Sequence, residues 1–125
     1  MPDLNDLIAR LEAATGPDRA LDAEIAEACG TMPHGLTRAL SNGEPAEWWW
    51  DGEDCLWPPE FTASVDAAIT LAPNDLMWFL GRLDSSDMRF CATISERGAV
   101  GSKTWRGFSA SPAIALCVAA LNARG

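Results

Sequence analysis

Residues 108–119 read Phe-Ser-Ala-Ser-Pro-Ala-Ile-Ala-Leu-Cys-Val-Ala, and residues 61–72 read Phe-Thr-Ala-Ser-Val-Asp-Ala-Ala-Ile-Thr-Leu-Ala. Each copy places a Phe, a hydroxyl residue, Ala and Ser before an apolar run. Ser64 and Ser111 are favourable N-caps, because a serine oxygen accepts a hydrogen bond from an unpaired amide of the first helical turn. Pro112 suits the first helical position, where its missing N–H costs nothing. The repeated phrase therefore predicts two places at which an extended segment ends and a helix begins.

Two amphipathic helices are predicted ahead of the first copy. Apolar residues recur at helical spacing within residues 4–11 and again within residues 21–28. Pro17 is expected to open the second helix and Gly30 to end it. The second helix carries several acidic residues, among them Asp22. The two helices form a hairpin with one apolar side, which another element must cover.

Strands are predicted in the remaining segments. Short strands are expected at residues 36–40 and 48–50, inside a part of the chain that Pro and Gly interrupt repeatedly. Residues 76–83 and 88–95 are expected to form a hairpin, and residues 88–95 alternate between apolar and polar in the manner of a half-buried strand. A third strand is predicted at residues 104–108.

The final helix, predicted at residues 112–123, is apolar over most of its circumference and is expected to be buried against the sheet. The order of elements indicates a single α+β domain over residues 1–125, with helices packed on a small antiparallel sheet. The alternative within this class is a helix–sheet–helix sandwich, in which helices cover both faces of the sheet.

Charge is distributed unevenly along this chain of 125 residues, whose net charge is −9. Residues 1–75 hold 15 acids and 3 arginines, and residues 76–125 hold 3 acids and 6 bases. The acidic part should repel nucleic acid and membrane surfaces and could attract a basic partner. No apolar run reaches membrane-spanning length and the start does not resemble a secretory signal, so the bacterial cytoplasm is the expected location.

The residue types that usually carry catalysis or metal binding are sparse and scattered. Cys29, Cys55, Cys91 and Cys117 lie far apart without a Cys-x-x-Cys motif, which is a poor spacing for zinc. His34 is the one histidine, and the sequence shows no arrangement of Ser or Cys with it that is typical of a catalytic triad. We therefore predict no catalytic residue, no metal and no cofactor, and a protein that is not an enzyme.

Three consecutive tryptophans, Trp48-Trp49-Trp50, stand among acidic residues. If they form a strand, Trp49 points opposite to its two neighbours, because side chains alternate. One interpretation is an acidic, aromatic patch that binds a basic protein surface, since tryptophan is enriched at interaction hot spots. The other, which we favour, is a sheet covered on both faces. The candidate partner-binding residues are Trp49, Glu24, Glu27, Glu44, Glu47, Asp51, Glu53 and Asp54.

Three segments, residues 6–19, 61–68 and 111–121, together resemble the phage ABA sandwich domain family of small phage and prophage proteins. The resemblance covers about half of the chain. It implies a helix–sheet–helix sandwich and a phage, prophage or gene-transfer origin, and it carries no catalytic residue.

These observations favour a phage accessory protein that acts by binding another protein, with no direct contact to nucleic acid or membrane. A sharper hypothesis is an inhibitor of a host nucleic-acid-handling defence complex, whose acidic side chains imitate phosphates. A small-ligand module with a tryptophan-lined pocket and a minor structural or assembly protein are the alternatives. The sequence does not decide whether the chain forms a homodimer.

Overall fold

The computed structural model describes residues 4–32, 36–72, 76–82, 90–96 and 103–124. These residues form four helices and two antiparallel sheets of three strands each, which confirms the predicted α+β class. In chain order the elements are α1 (Leu4–Ala13), α2 (Arg19–Cys29), β1 (Thr37–Ser41), β2 (Glu44–Trp50), β3 (Cys55–Leu56), α3 (Val65–Ile69), β4 (Leu76–Arg82), β5 (Phe90–Glu96), β6 (Thr104–Ser109) and α4 (Pro112–Arg124). The first sheet has the order β1-β2-β3 and the second has the order β4-β5-β6.

Helix α4 lies at the centre of the core. Residues 113–121 are all buried, because α4 contacts β5 and β6 on one side and α1 and α3 on the other. A helix that is apolar all round is stable in water only when it is enclosed in this way. The predicted cap is confirmed, since Ser111 Oγ accepts a hydrogen bond of 3.4 Å from the Ile114 N–H. Among the described residues, neither α4 nor any other helix has the length and hydrophobicity to cross a membrane.

Strand β6 approaches α4 unusually closely at Gly107. A Cβ atom on residue 107 would lie 2.3 Å from the carbonyl oxygen of Ala115 and 2.6 Å from the amide nitrogen of Ala119. Both are backbone atoms of α4, so no change of rotamer could make room. The second sheet therefore packs on α4 at this distance because residue 107 has no side chain.

Contacts among the elements place the helices between the two sheets. The first sheet contacts α2 through β2, α2 contacts α1, α1 contacts α4, and α4 contacts the second sheet. The expectation of one sheet is thus corrected to two, because β2 pairs with β1 and β3 and not with the strands of the C-terminal half. In the described chain the layers therefore run sheet, helices, sheet, and not helix, sheet, helix as in the predicted sandwich.

The predicted end of α2 at Gly30 and the predicted cap of α3 at Ser64 are confirmed, whereas the start of α2 differs from the prediction. Gly30 ends α2 in the left-handed conformation, with φ of 62°. Ser64 caps α3 by accepting a hydrogen bond of 3.3 Å from the Ala67 N–H. Helix α2 begins after Asp18, whose carboxylate accepts hydrogen bonds from two amides of the first turn, so Pro17 precedes the cap and does not open the helix.

The predicted strands are all present, and one strand was missed. Asn42 and Gly43 join β1 to β2 with φ of 53° and 82°, the pair of positive angles that a type I′ hairpin turn requires. The missed strand, β3, has only two residues, which are too few to show a period. Helix α3 is shorter than the apolar run of residues 65–72 predicts, since it ends at Ile69. The predicted hairpin turn at residues 84–87 lies outside the described residues, as does His34.

Candidate functional site

The three tryptophans of β2 alternate between the two faces of the first sheet. Trp49 is 6% exposed and joins the core on the side of α2. Trp48 and Trp50 lie on the opposite face, where their rings meet edge to face with centroids 6.3 Å apart. Trp50 is 41% exposed. The favoured expectation of burial on both faces therefore does not hold for Trp50.

We call the exposed side of the first sheet the tryptophan face, and we define it by Thr37, Trp48, Trp50 and Cys55. Trp50 is the central residue of this face, because it pairs with Thr37 on β1 and with Cys55 on β3. Thr37 and Cys55 are both small and exposed. Because neither can cover a neighbouring indole ring, Trp50 remains open to a partner.

An acidic turn borders the tryptophan face where β2 ends, and we define it as residues 51–54. The Asp51 carboxylate accepts hydrogen bonds of 2.8 Å from the Glu53 N–H and 2.7 Å from the Asp54 N–H. These bonds hold the pKa of Asp51 below its usual range. Gly52 has φ of 103°, which favours glycine at this position. The turn thus holds three exposed acidic side chains directly after Trp50.

Two further acids, Glu44 and Glu47, are exposed on β2 itself. In the part of the chain that the structure describes, no arginine or lysine lies within ion-pair distance of these two carboxylates or of the acidic turn. The acidic turn therefore borders the tryptophan face without a described cationic partner, and Glu44 and Glu47 add two exposed carboxylates further along β2.

Glu24 and Glu27 differ, because both contact Arg38 of β1. The Arg38 Nη2 atom lies 3.6 Å from Glu24 Oε1, and Arg38 Nη1 donates a hydrogen bond to Glu27 Oε2. The guanidinium also lies over the Trp49 ring, 5.4 Å from its centroid, and Arg38 Nε donates to the Ala46 carbonyl at 2.7 Å. Arg38 thus links α2 to the inner face of the first sheet and offsets part of the negative charge of the two glutamates.

The structure therefore separates the predicted binding residues into two groups. Glu44, Glu47, Asp51, Glu53 and Asp54 are exposed along β2 and its turn, whereas Trp49, Glu24 and Glu27 join the first sheet to α2. The half-buried Trp48 and the exposed Trp50 were not among the predicted binding residues. The alternation of side chains on β2 places them opposite Trp49, but only the contact with α2 decides which face is the inner one.

Asp22 forms a buried polar network at the start of α2. Its Oδ1 atom accepts hydrogen bonds of 2.8 Å from both the backbone N–H and the hydroxyl of Thr62. Its Oδ2 atom pairs with Arg19 Nη1 at 2.8 Å, and Arg19 Nη2 donates to the Pro58 carbonyl at 2.6 Å. The Asp18 N–H donates to Thr62 Oγ1 at 2.8 Å. The network fastens the segment before α3 to α2.

The described residues offer little support for a buried ligand site. Every buried side-chain nitrogen or oxygen among them has a hydrogen-bond partner, so none is left for a ligand to satisfy. No three histidine, cysteine or acidic side chains in the same residues come together as metal ligands. The network around Asp22 is therefore structural, and the exposed tryptophan face with its acids is the candidate site.

The four cysteines should differ in reactivity, which tests the burial described here. Cys55 is exposed, whereas Cys117 is buried and donates its thiol hydrogen to the Phe61 carbonyl at 3.3 Å. Burial raises the pKa of Cys117 above the usual range and also raises the pKa of Cys29, so little reactive thiolate forms at pH 8. We expect iodoacetamide to modify Cys55 at least about a hundredfold faster than Cys117.

Peptide mass spectrometry of timed samples measures the modification rate of each thiol. Repeating the reaction in urea is the control, since all four cysteines should then react at similar rates. Equal rates for Cys55 and Cys117 in the folded protein would contradict the burial of α4.

Comparisons of this chain with models of protein families, with curated proteins and with solved structures find no match. The resemblance to the phage family therefore stays a prediction.

Proposed function

We propose that this protein is a binding protein that holds a basic protein surface on the tryptophan face and its acidic border. The observation that carries the proposal is the position of Trp50, which is 41% exposed on a sheet face directly before the three acids of the acidic turn. A lysine or arginine side chain can lie over an indole ring while it pairs with a neighbouring carboxylate. Exposed tryptophan is also a frequent centre of binding energy at protein interfaces.

The inner face of the same sheet contains the contact that we propose for the outer face. There the Arg38 guanidinium lies over the Trp49 ring while it pairs with Glu24 and Glu27. Arg19 repeats the arrangement, since it lies 5.6 Å from the Trp57 ring centroid while it pairs with a carboxylate. On the tryptophan face the ring and the carboxylates are present, and the partner supplies the cation.

The sharper form of the proposal is inhibition of a host complex that handles nucleic acid. Such complexes bind phosphates through grooves lined with lysine and arginine, and a row of fixed carboxylates is complementary to the same grooves. The candidates for this role are the exposed carboxylates of β2 and its turn, namely Glu44, Glu47, Asp51, Glu53 and Asp54. Glu24 and Glu27 are left out because both already pair with Arg38.

Substituting Trp50 tests the proposal directly. Tagged protein is used to capture partners from nuclease-treated bacterial lysate, and the affinity of the captured protein is then measured for each variant. We expect Trp50→Ala to raise the Kd at least about tenfold, because it removes the exposed ring at the centre of the surface. Phe108→Ala is the matched control, since it removes an exposed aromatic ring from the second sheet and should leave the Kd unchanged.

Neutralising the turn with Asp51→Asn, Glu53→Gln and Asp54→Asn should weaken binding and flatten its dependence on salt concentration. The amides keep the size of the side chains, so a loss of affinity reports the loss of charge. Equal affinities for the native protein, the neutralised turn and Trp50→Ala would refute the proposal.

A further inference from the structure

Strand β4 is an edge of the second sheet. It pairs with β5 over seven successive residue pairs, from Leu76 with Glu96 to Arg82 with Phe90, without any shift of register. No other strand of the described residues pairs with it. One side of β4 therefore presents a flat row of backbone donors and acceptors, which can form hydrogen bonds with an added strand.

This edge is apolar on both faces of the sheet. Met77 and Phe79 lie on the outer face and are 39% and 54% exposed, and Trp78 of the opposite face is 40% exposed at the edge. Edge strands are usually protected by charged residues, proline, a bulge or short length. Residues 76–81 contain neither a charged residue nor a proline.

The other edges of the two sheets are protected in these ways. Strand β1 has an irregular register between Arg38 and Leu40, and β3 has only two residues. Strand β6 carries Arg106 and follows Lys103. In β4 the one charged residue, Arg82, is the last of the strand, so residues 76–81 form an edge segment without such protection.

We infer that β4 pairs antiparallel with β4 of a second copy of this chain, which joins two second sheets into one six-stranded sheet. In a two-fold interface each surface meets its own copy, so a charged surface would repel itself. The acidic turn is unsuitable for this reason. The outer-face residues of β5 that pair with β4, namely Cys91, Thr93 and Ser95, are uncharged, as are residues 76–81. Two such edges meet without opposing charges.

Pairing also covers apolar surface that is exposed in one copy. The two-fold axis lies near Trp78, so the two copies bring Met77 and Phe79 together on one outer face. Backbone hydrogen bonds along the edge supply the affinity, and the apolar side chains add to it through burial. This interface uses a different sheet from the tryptophan face, so it is independent of the proposed function.

A lysine on the edge tests the inference. Phe79→Lys places a charge next to its own copy at the axis, and its control, Phe108→Lys, places the same charge on β6 of the same outer face. Sedimentation velocity should show the native protein at twice the 13.4 kDa mass of one chain. We expect Phe79→Lys to raise the dimer Kd at least about tenfold and Phe108→Lys to leave it near the native value.

Two outcomes would overturn the inference. One is a native protein that sediments as a single chain up to millimolar concentration. The other is an equal loss of dimer in both lysine variants, which would indicate stacking of sheet faces and not pairing of edges. If circular dichroism shows that Phe79→Lys is unfolded, hydrogen exchange of the native protein replaces this test. Pairing of β4 with its copy requires the β4 amides to exchange more slowly as protein concentration rises, and exchange that is independent of concentration would overturn the inference. Trp50→Ala should dimerise normally, which separates this test from that of the proposed function.

Discussion

Replacing Gly107 with alanine is expected to lower the free energy of unfolding by about 3 kcal/mol or more. The added methyl group would lie 2.3 Å and 2.6 Å from backbone atoms of Ala115 and Ala119. Because those atoms belong to a helix that is buried all round, relief requires β6 and α4 to separate along their whole contact. Thermal unfolding followed by circular dichroism should show a fall in Tm of roughly 10 °C.

Gly81→Ala is the matched control, because Gly81 also lies in a strand of the second sheet. A Cβ at residue 81 would have no heavy atom within 4 Å apart from its own residue and its chain neighbours, so the substitution should leave stability within about 1 kcal/mol of the native value. A Gly107→Ala protein as stable as the Gly81→Ala protein would show that β6 does not approach α4 as described.

Replacing Asp22 with alanine is the second substitution with a large expected effect. It removes the acceptor for the Thr62 N–H and hydroxyl and leaves the Arg19 guanidinium without its carboxylate. Each buried donor that loses its acceptor costs about 1–3 kcal/mol, so we expect a loss of about 3 kcal/mol in urea unfolding.

Two further variants locate the origin of that loss. Asp22→Asn keeps an oxygen for Thr62 and loses the charge beside Arg19, so it should cost less than alanine, about 1 kcal/mol. Asp6→Ala breaks an exposed helical pair of the same type, with Arg10 at 3.8 Å, and should cost less than about 0.5 kcal/mol. Similar losses for Asp22→Ala and Asp6→Ala would contradict the buried network.

Features set by neighbours in sequence could be predicted from this chain. Serine ahead of an apolar run predicts the caps at Ser64 and Ser111, because capping involves only the next three residues. Alternation in β5 predicts that Ala92 and Ile94 face the core, and both are fully buried. The apolar character of α4 on all sides likewise predicts its burial.

Features set by distant parts of the chain could not be predicted. Asp22 resembles the other acids of α2, and nothing near it indicates Thr62, which is forty residues away and supplies the donors that make its burial possible. Nothing in the sequence near Arg38 indicates that its side chain pairs with Glu24 and Glu27 of α2. Distant partners therefore distinguish Glu24 and Glu27, which pair with Arg38, from the acids of the turn at residues 51–54.

The central position of α4 also has a consequence for how the chain is made. Ribosomes release a chain from its N-terminus, so α4 emerges after every other described element. Until then α1, α3, β5 and β6 lack the helix on which they pack, and their apolar surfaces stay exposed during synthesis. The domain can therefore complete its core only after α4 has left the ribosome.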